Sequence, residues 1–260
     1  MRRNHMGLWK ALMGRVTLFP TVAPASALEL YRRVWAIEPD SYQKPPSPLM
    51  QGTAQGKREG MMATCTTNPA RVDFTFTPMR EEEAPDLNVV LIEDLPQLQT
   101  EMLRTIESVG TGIFADSVLR VAVSMQVVKQ QSGFADANRT LVELLPEQFR
   151  MRLTDEQDFI FQVNQPSVSR KTPAVTMNFI TKWSVDRIQV LAFAIPLSPS
   201  PISVQQAVAA PQQQFFAASV LFDNNNVPGG VLLASSEQSS LLLEGFEAID
   251  NSIKVMHINS

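Results

Sequence analysis

Two histidines and one cysteine are all that this 260-residue chain offers of the side chains most used in hydrolytic and zinc chemistry. His5 and His257 lie near the two ends, where chains usually fray. A Ser-His-Asp or Cys-His mechanism therefore lacks a rigidly held general base, and zinc sites fail for the same shortage. The single Cys65 excludes an intramolecular disulfide and points to a reducing compartment. It lies between Thr64 and Thr66 on a predicted strand and reads as a buried, inert thiol. Long apolar runs are missing too: nothing approaches the roughly 20 residues of a membrane span. The opening "MRRNHMGLWKALMGRV" begins like a signal peptide, but Lys10 interrupts it and no small-x-small site follows. A cytoplasmic protein with no membrane partner is the expectation.

Concentrated positive charge is also scarce. The net charge is -4, and the densest basic clusters are the pairs Arg2-Arg3, Arg32-Arg33 and Lys57-Arg58. Nucleic acid and anionic membranes both call for a concentrated basic surface, so no nucleic-acid partner is expected. The segment "QGTAQGKREG" contains Gly52, Gly56 and Lys57, but only three residues separate those glycines and Arg58 follows the lysine. A P-loop needs a longer gap, a Ser or Thr after its lysine and a helix behind it. Residues 38–60 read instead as a long exposed loop rich in Pro, Gly, Gln and Ser. No Rossmann-type glycine fingerprint follows any strand, and no cofactor is expected.

What is present is patterning. Apolar residues make up 44% and charged residues 18%, as in an ordinary globular protein. "NPARVDFTFTP" alternates with Val72, Phe74 and Phe76 on one side and Arg71, Asp73 and Thr75 on the other, which predicts a strand. "SVLRVAVSMQV" carries the longest such alternation, Leu119 through Val127. Strands are further predicted at "GRVTLF", "MMATCTT", "LNVVLI", "DFIFQVN", "AVTMNFITKW", "DRIQVLAFAI" and "FFAASVLFD". A tight turn is predicted near Ser184. Helices are predicted after Ser26 and Asp94, each with a capping side chain, through "GFADANRTLVELLP", and from Ser235 with Gln238 completing a capping box.

These elements come in the same order twice. With Arg15-Val16 matched to Arg120-Val121, Pro69-Ala70 lies 54 residues beyond Arg15 and Pro173-Ala174 lies 53 beyond Arg120. The fold class expected is α+β: two similar strand-helix-strands-helix halves with largely antiparallel sheets, related by a pseudo-twofold. Residues 1–13 then form an N-terminal segment, 14–112 the first half and 113–260 the second. A Pro/Gln-rich stretch at 196–214 reads as a mobile loop. The seam between halves is the natural place for a groove.

The repeated order and the closing "LFDNNN…SSEQSSLLLEGFEAIDNSI" resemble a sporadically distributed group of uncharacterised bacterial proteins of similar length. In that group a late strand bearing Asp precedes a C-terminal helix. The resemblance implies no activity and no site residues.

Candidate functional residues are few. "MNFITKWSVDRIQV" places Asn178, Lys182, Trp183, Asp186 and Arg187 around the predicted hairpin turn. Trp183 and Arg187 would be anchors of a recognition hairpin, since Trp and Arg are enriched at interface hot spots, or ordinary hairpin residues. Trp35 and Tyr42, flanking "EPDSYQ", have the same two readings. Acidic residues at strand ends offer the remaining chemistry: Asp155, Asp158 and Asp223 would gather Mg²⁺ in the seam if the protein were a metal-dependent enzyme. The leading expectation is a non-catalytic interaction or regulatory component, with a protein partner or self-association through exposed strand edges. The alternatives are that metal-dependent enzyme and a small-ligand binder lidded by residues 196–214.

Overall fold

The computed structural model describes residues 8–44, 47, 52–79, 89–114, 117–145, 147–150, 159–189 and 214–256. Its elements follow in the order β1 (Lys10–Pro20), α1 (Ala27–Trp35), β2 (Ser41–Gln43), β3 (Gly52–Arg58), β4 (Met61–Asn68), β5 (Arg71–Pro78) and α2 (Leu95–Gly110). Then come β6 (Val118–Gln131), α3 (Phe134–Leu144), a 3-10 turn (Glu147–Phe149), β7 (Ile160–Val168), β8 (Thr176–Gln189), β9 (Gln214–Asn226) and α4 (Ser235–Val255). The strands form one sheet in the order β2-β3-β4-β5-β1-β6-β9-β8-β7, with every neighbouring pair antiparallel. The fold is therefore mixed α/β on an antiparallel sheet.

Period-two alternation sorts the side chains onto two unlike faces. Across the centre, Cys65, Phe74, Val16 and Val123 stand in one row, each opposite the next. All four are buried. The helices lie on this face. Trp35 of α1 meets Phe74 and Phe76 edge-on, with ring centroids 5.6 and 5.7 Å apart. Two glycines allow close packing. A Cβ on Gly14 of β1 would stand 2.6 Å from Met102 Sδ and 2.8 Å from Leu98 Cδ1 of α2. A Cβ on Gly245 of α4 would stand 2.8 Å from Val123 Cγ1 and 3.3 Å from Asn224 Cβ.

The opposite face is polar and no described helix covers it. Gln126 Nε2 donates to Asp186 Oδ2 at 3.1 Å and to Ser219 Oγ at 3.0 Å, and Ser184 Oγ donates to Asp186 Oδ1 at 2.9 Å. Asn164, Asn178 and Asn225 continue this polar network across β7, β8 and β9.

Several expectations are corrected. β8 runs unbroken through Ser184, which is paired with Ile160 on one side and Ser219 on the other, so there is no hairpin turn there. The expected exposed loop at 38–60 contains β2 and β3. Gly52, Ala54 and Gly56 of β3 are buried, and Gly56 is needed because a Cβ there would lie 2.6 Å from Tyr31 Oη. "LNVVLI" supplies only an isolated bridge, Ile92 to Ala11. β1 starts at Lys10, inside the segment set apart as 1–13. At α4 the capping contact falls one residue earlier than expected: Ala234 N donates to Glu237 Oε2 at 2.8 Å. Residues 190–213, which include nearly all of the Pro/Gln-rich loop, lie outside the described residues.

α4 is tied to the β7–β8 connection by one buried carboxylate. Ser169 Oγ donates to Glu244 Oε2 at 2.6 Å and Arg170 N donates to Oε1 at 3.0 Å. Burial alone would raise the Glu244 pKa. The Ser169 hydroxyl, the backbone N–H groups of Arg170 and Lys171 and the Arg170 guanidinium outweigh it and hold the carboxyl below its usual range. Because the folded pKa is depressed, the unfolded chain takes up the proton first as pH falls. The stabilisation is complete well above the ordinary glutamate pKa of about 4.3 and is lost as pH drops through the folded value. Glu244→Gln should flatten the acid limb of a plot of Tm against pH; an unchanged acid limb would contradict this role.

Candidate binding cleft

The helical face is not filled evenly. Between the end of α3, the end of α4 and the outer strands β7 and β8 lies a cleft of about 460 Å³. Its floor is built by alternation and register: Val163 and Gln165 of β7 stand opposite Thr181 and Phe179 of β8. One wall is Leu144, Leu145 and the 3-10 turn with Phe149; the other is Ser252, Val255 and Met256. Arg150 fastens the first wall, since its Nε donates to Leu145 O at 3.2 Å and its Nη2 to Glu143 O at 3.4 Å. These bonds occupy carbonyls that the end of a helix leaves free.

Phe149, Phe179 and Trp183 line the cleft, and Phe161 packs between Phe149 and Trp183. Phe149 and Phe161 have centroids 5.1 Å apart, and Phe161 and Trp183 5.6 Å. Trp183 is 4% exposed, and its indole Nε1 is buried without a hydrogen-bond partner among the described residues. A buried N–H without an acceptor carries a desolvation penalty of about 1–3 kcal/mol. The lining carries two carboxylates and one guanidinium. Glu143 and Glu147 stand there with Arg150, and α3 and α4 both present their C-terminal ends, the negative poles of their dipoles.

Of the residues singled out from sequence, Trp183 alone lines this cleft. Arg187 is exposed, with its Cζ 5.8 Å from the centre of the Phe216 ring. Asp186 faces the opposite side of the sheet in the polar network described above. Trp35 sits in the core, 4% exposed, and its Nε1 donates to Thr105 Oγ1 at 3.1 Å, so packing accounts for it. Tyr42 is partly buried on β2 against the same core. Asp223 lies on β9 across from Ser124, on the polar face; Asp155 and Asp158 lie outside the described residues. Among the described residues no three His, Cys, Asp or Glu side chains come together as a metal site. Cys65 is fully buried, and burial, with the charge of Asp73 adding to it, pushes its thiol far above the usual range. No described helix is long and apolar enough to cross a membrane.

Leu144, Phe149, Val163, Phe179 and Val255 were missed. Each reads in sequence as ordinary core, and only the pairing of β7 with β8 beneath the ends of α3 and α4 brings them together. Comparison with known proteins returns no matching family model, no matching curated protein and no matching solved structure.

Proposed function

We propose that the chain is a non-catalytic binding protein whose cleft takes up a small apolar molecule, uncharged or cationic, in an interaction or regulatory role. The observation that carries this reading is the cleft of about 460 Å³ itself, lined by Leu144, Phe149, Val163, Phe179 and Trp183. Concave apolar pockets with few, well-placed polar groups are the usual form of small-molecule sites. The excess of carboxylates in the lining disfavours anions. The test uses Nile red, a neutral apolar dye, against an anionic naphthalene sulfonate. Saturable one-to-one binding of the neutral dye is expected, weaker binding of the anion, and loss on Thr181→Trp, which fills the cleft floor. A folded Thr181→Trp variant that binds the dye unchanged would sink the reading.

We also assign the protein to a reducing, cytoplasmic compartment, on the strength of its single cysteine. Descent from two fused units belongs to the same proposal. Its support is that β1-α1-β2-β3-β4-β5-α2 is followed by β6-α3-β7-β8-β9-α4, with β1 and β6 adjacent at mid-sheet. The two Pro-Ala pairs give no support. Pro69-Ala70 joins β4 to β5 beside the centre, whereas Pro173-Ala174 joins β7 to β8 at the edge. Self-association would use the outer strands β2 and β7, the latter with Ile160 and Val168 exposed.

A further inference from the structure

On the polar face, the strand order β5-β1-β6 gathers three arginines that are far apart in sequence: Arg71, Arg15 and Arg120. Arg15 stands between Thr75 of β5 and Ser124 of β6, and Arg120 stands opposite Phe19. The ring of Phe19 is flanked by two of them, with Arg71 Cζ 5.7 Å and Arg120 Cζ 5.2 Å from its centre. A guanidinium over an aromatic ring gains a cation–π attraction.

One carboxylate organises the cluster. Arg71 grips Asp73 with Nε 2.7 Å from Oδ2 and Nη2 2.8 Å from Oδ1, and Thr17 Oγ1 donates to Oδ1 at 2.6 Å. Asp73 is thereby largely occupied. Arg15 reaches it only at 3.9 Å, and Arg15 Nε and Arg120 Nε are buried without a hydrogen-bond partner, as is Ser124 Oγ. Asp223, across from Ser124 on β9, is the next acid on this face and forms no ion pair with these arginines. A cavity of about 360 Å³ opens beside Arg15, Arg71 and Asp73, rimmed by Thr66, Asn68 and Thr75.

We propose that the cavity beside Arg15, Arg71 and Asp73 binds a small phosphate-type anion, held by the guanidinium groups of Arg15 and Arg71 with the polar side chains of Thr66, Asn68 and Thr75 around it. Two positive charges against the one negative charge of Asp73 leave a surplus that the anion offsets. Guanidinium forks match the geometry of phosphate oxygens, and charge-assisted hydrogen bonds of this kind are the strong ones. This site lies on the opposite side of the sheet from the cleft and stands or falls independently of it.

Calorimetric titration of the full chain with inorganic phosphate tests the assignment. Saturable one-to-one binding is expected, with a phosphate-dependent rise in Tm. Arg15→Gln should weaken binding at least about tenfold. Arg33→Gln, on the exposed side of α1, should leave it unchanged. Circular dichroism verifies that each variant is folded. Phosphoserine separates a free ion from a phosphate monoester: tighter binding than inorganic phosphate identifies the monoester, and equal binding the ion. Three results would overturn the proposal: no heat and no Tm shift at millimolar phosphate, a folded Arg15→Gln variant that binds like the parent, or a dicarboxylate or heparin preferred over phosphate.

Discussion

Glu101→Ala is expected to lower stability by about 3–5 kcal/mol, because it strands a largely buried positive charge. The Glu101 carboxylate on α2 is completely inaccessible, and two arginines converge on it: Arg58 from the end of β3, whose side chain is 17% exposed, and Arg104 one turn along the helix, 54% exposed. Without Glu101, Arg58 faces the α2–β3 junction unpaired. Arg104 simply turns to solvent, so Arg104→Ala should cost under about 1 kcal/mol. The two values come from urea unfolding followed by far-UV circular dichroism. A loss below about 1 kcal/mol for Glu101→Ala would mean that the junction rests on apolar packing alone.

Phe74→Ala should cost a similar amount, about 3–5 kcal/mol, through lost burial and the cavity left behind. Phe74 is fully buried on β5, with Trp35 and Phe114 against it at 5.6 and 6.4 Å between centroids. Phe74→Leu keeps much of the volume and should cost less. Phe74 is the cross-strand partner of Cys65, so the void opens beside the thiol. Ellman's reagent should scarcely touch the parent protein and should react measurably faster with the alanine variant. A thiol equally silent in both would show that the surroundings collapse into the gap.

Much of this arrangement was legible from residue order, for identifiable reasons. β5 has unmixed alternation, and α2 begins where Asp94 Oδ1 accepts the Gln97 N–H at 2.8 Å. β3 was hidden because its buried positions are Gly52, Ala54 and Gly56, small residues of low strand propensity, the last of them thin beneath Tyr31 of α1. β8 was split in two because Ser184 and Asp186 look like a turn, although both belong to the polar side of a continuous strand. Both candidate sites were harder. The cleft joins residues from Glu143 to Met256, and the arginine cluster joins β5, β1 and β6, so neither forms a local motif. Isolated arginines on alternating strands look like solvated punctuation until the strand order is known.

The position of α4 bears on how the chain acquires its shape during synthesis. Residues of β6, β8 and β9 leave the ribosome well before Gly245, yet that glycine and its helix supply their cover. Until then Val123 and Phe222 face water, and the pairings of β1 with β5 and with β6 both close long loops. Nascent chains in this interval present a sticky half-finished slab, the kind of intermediate prone to aggregate or to engage a chaperone. Chains halted before Ser235 should therefore partition into the insoluble fraction, whereas completed ones escape it.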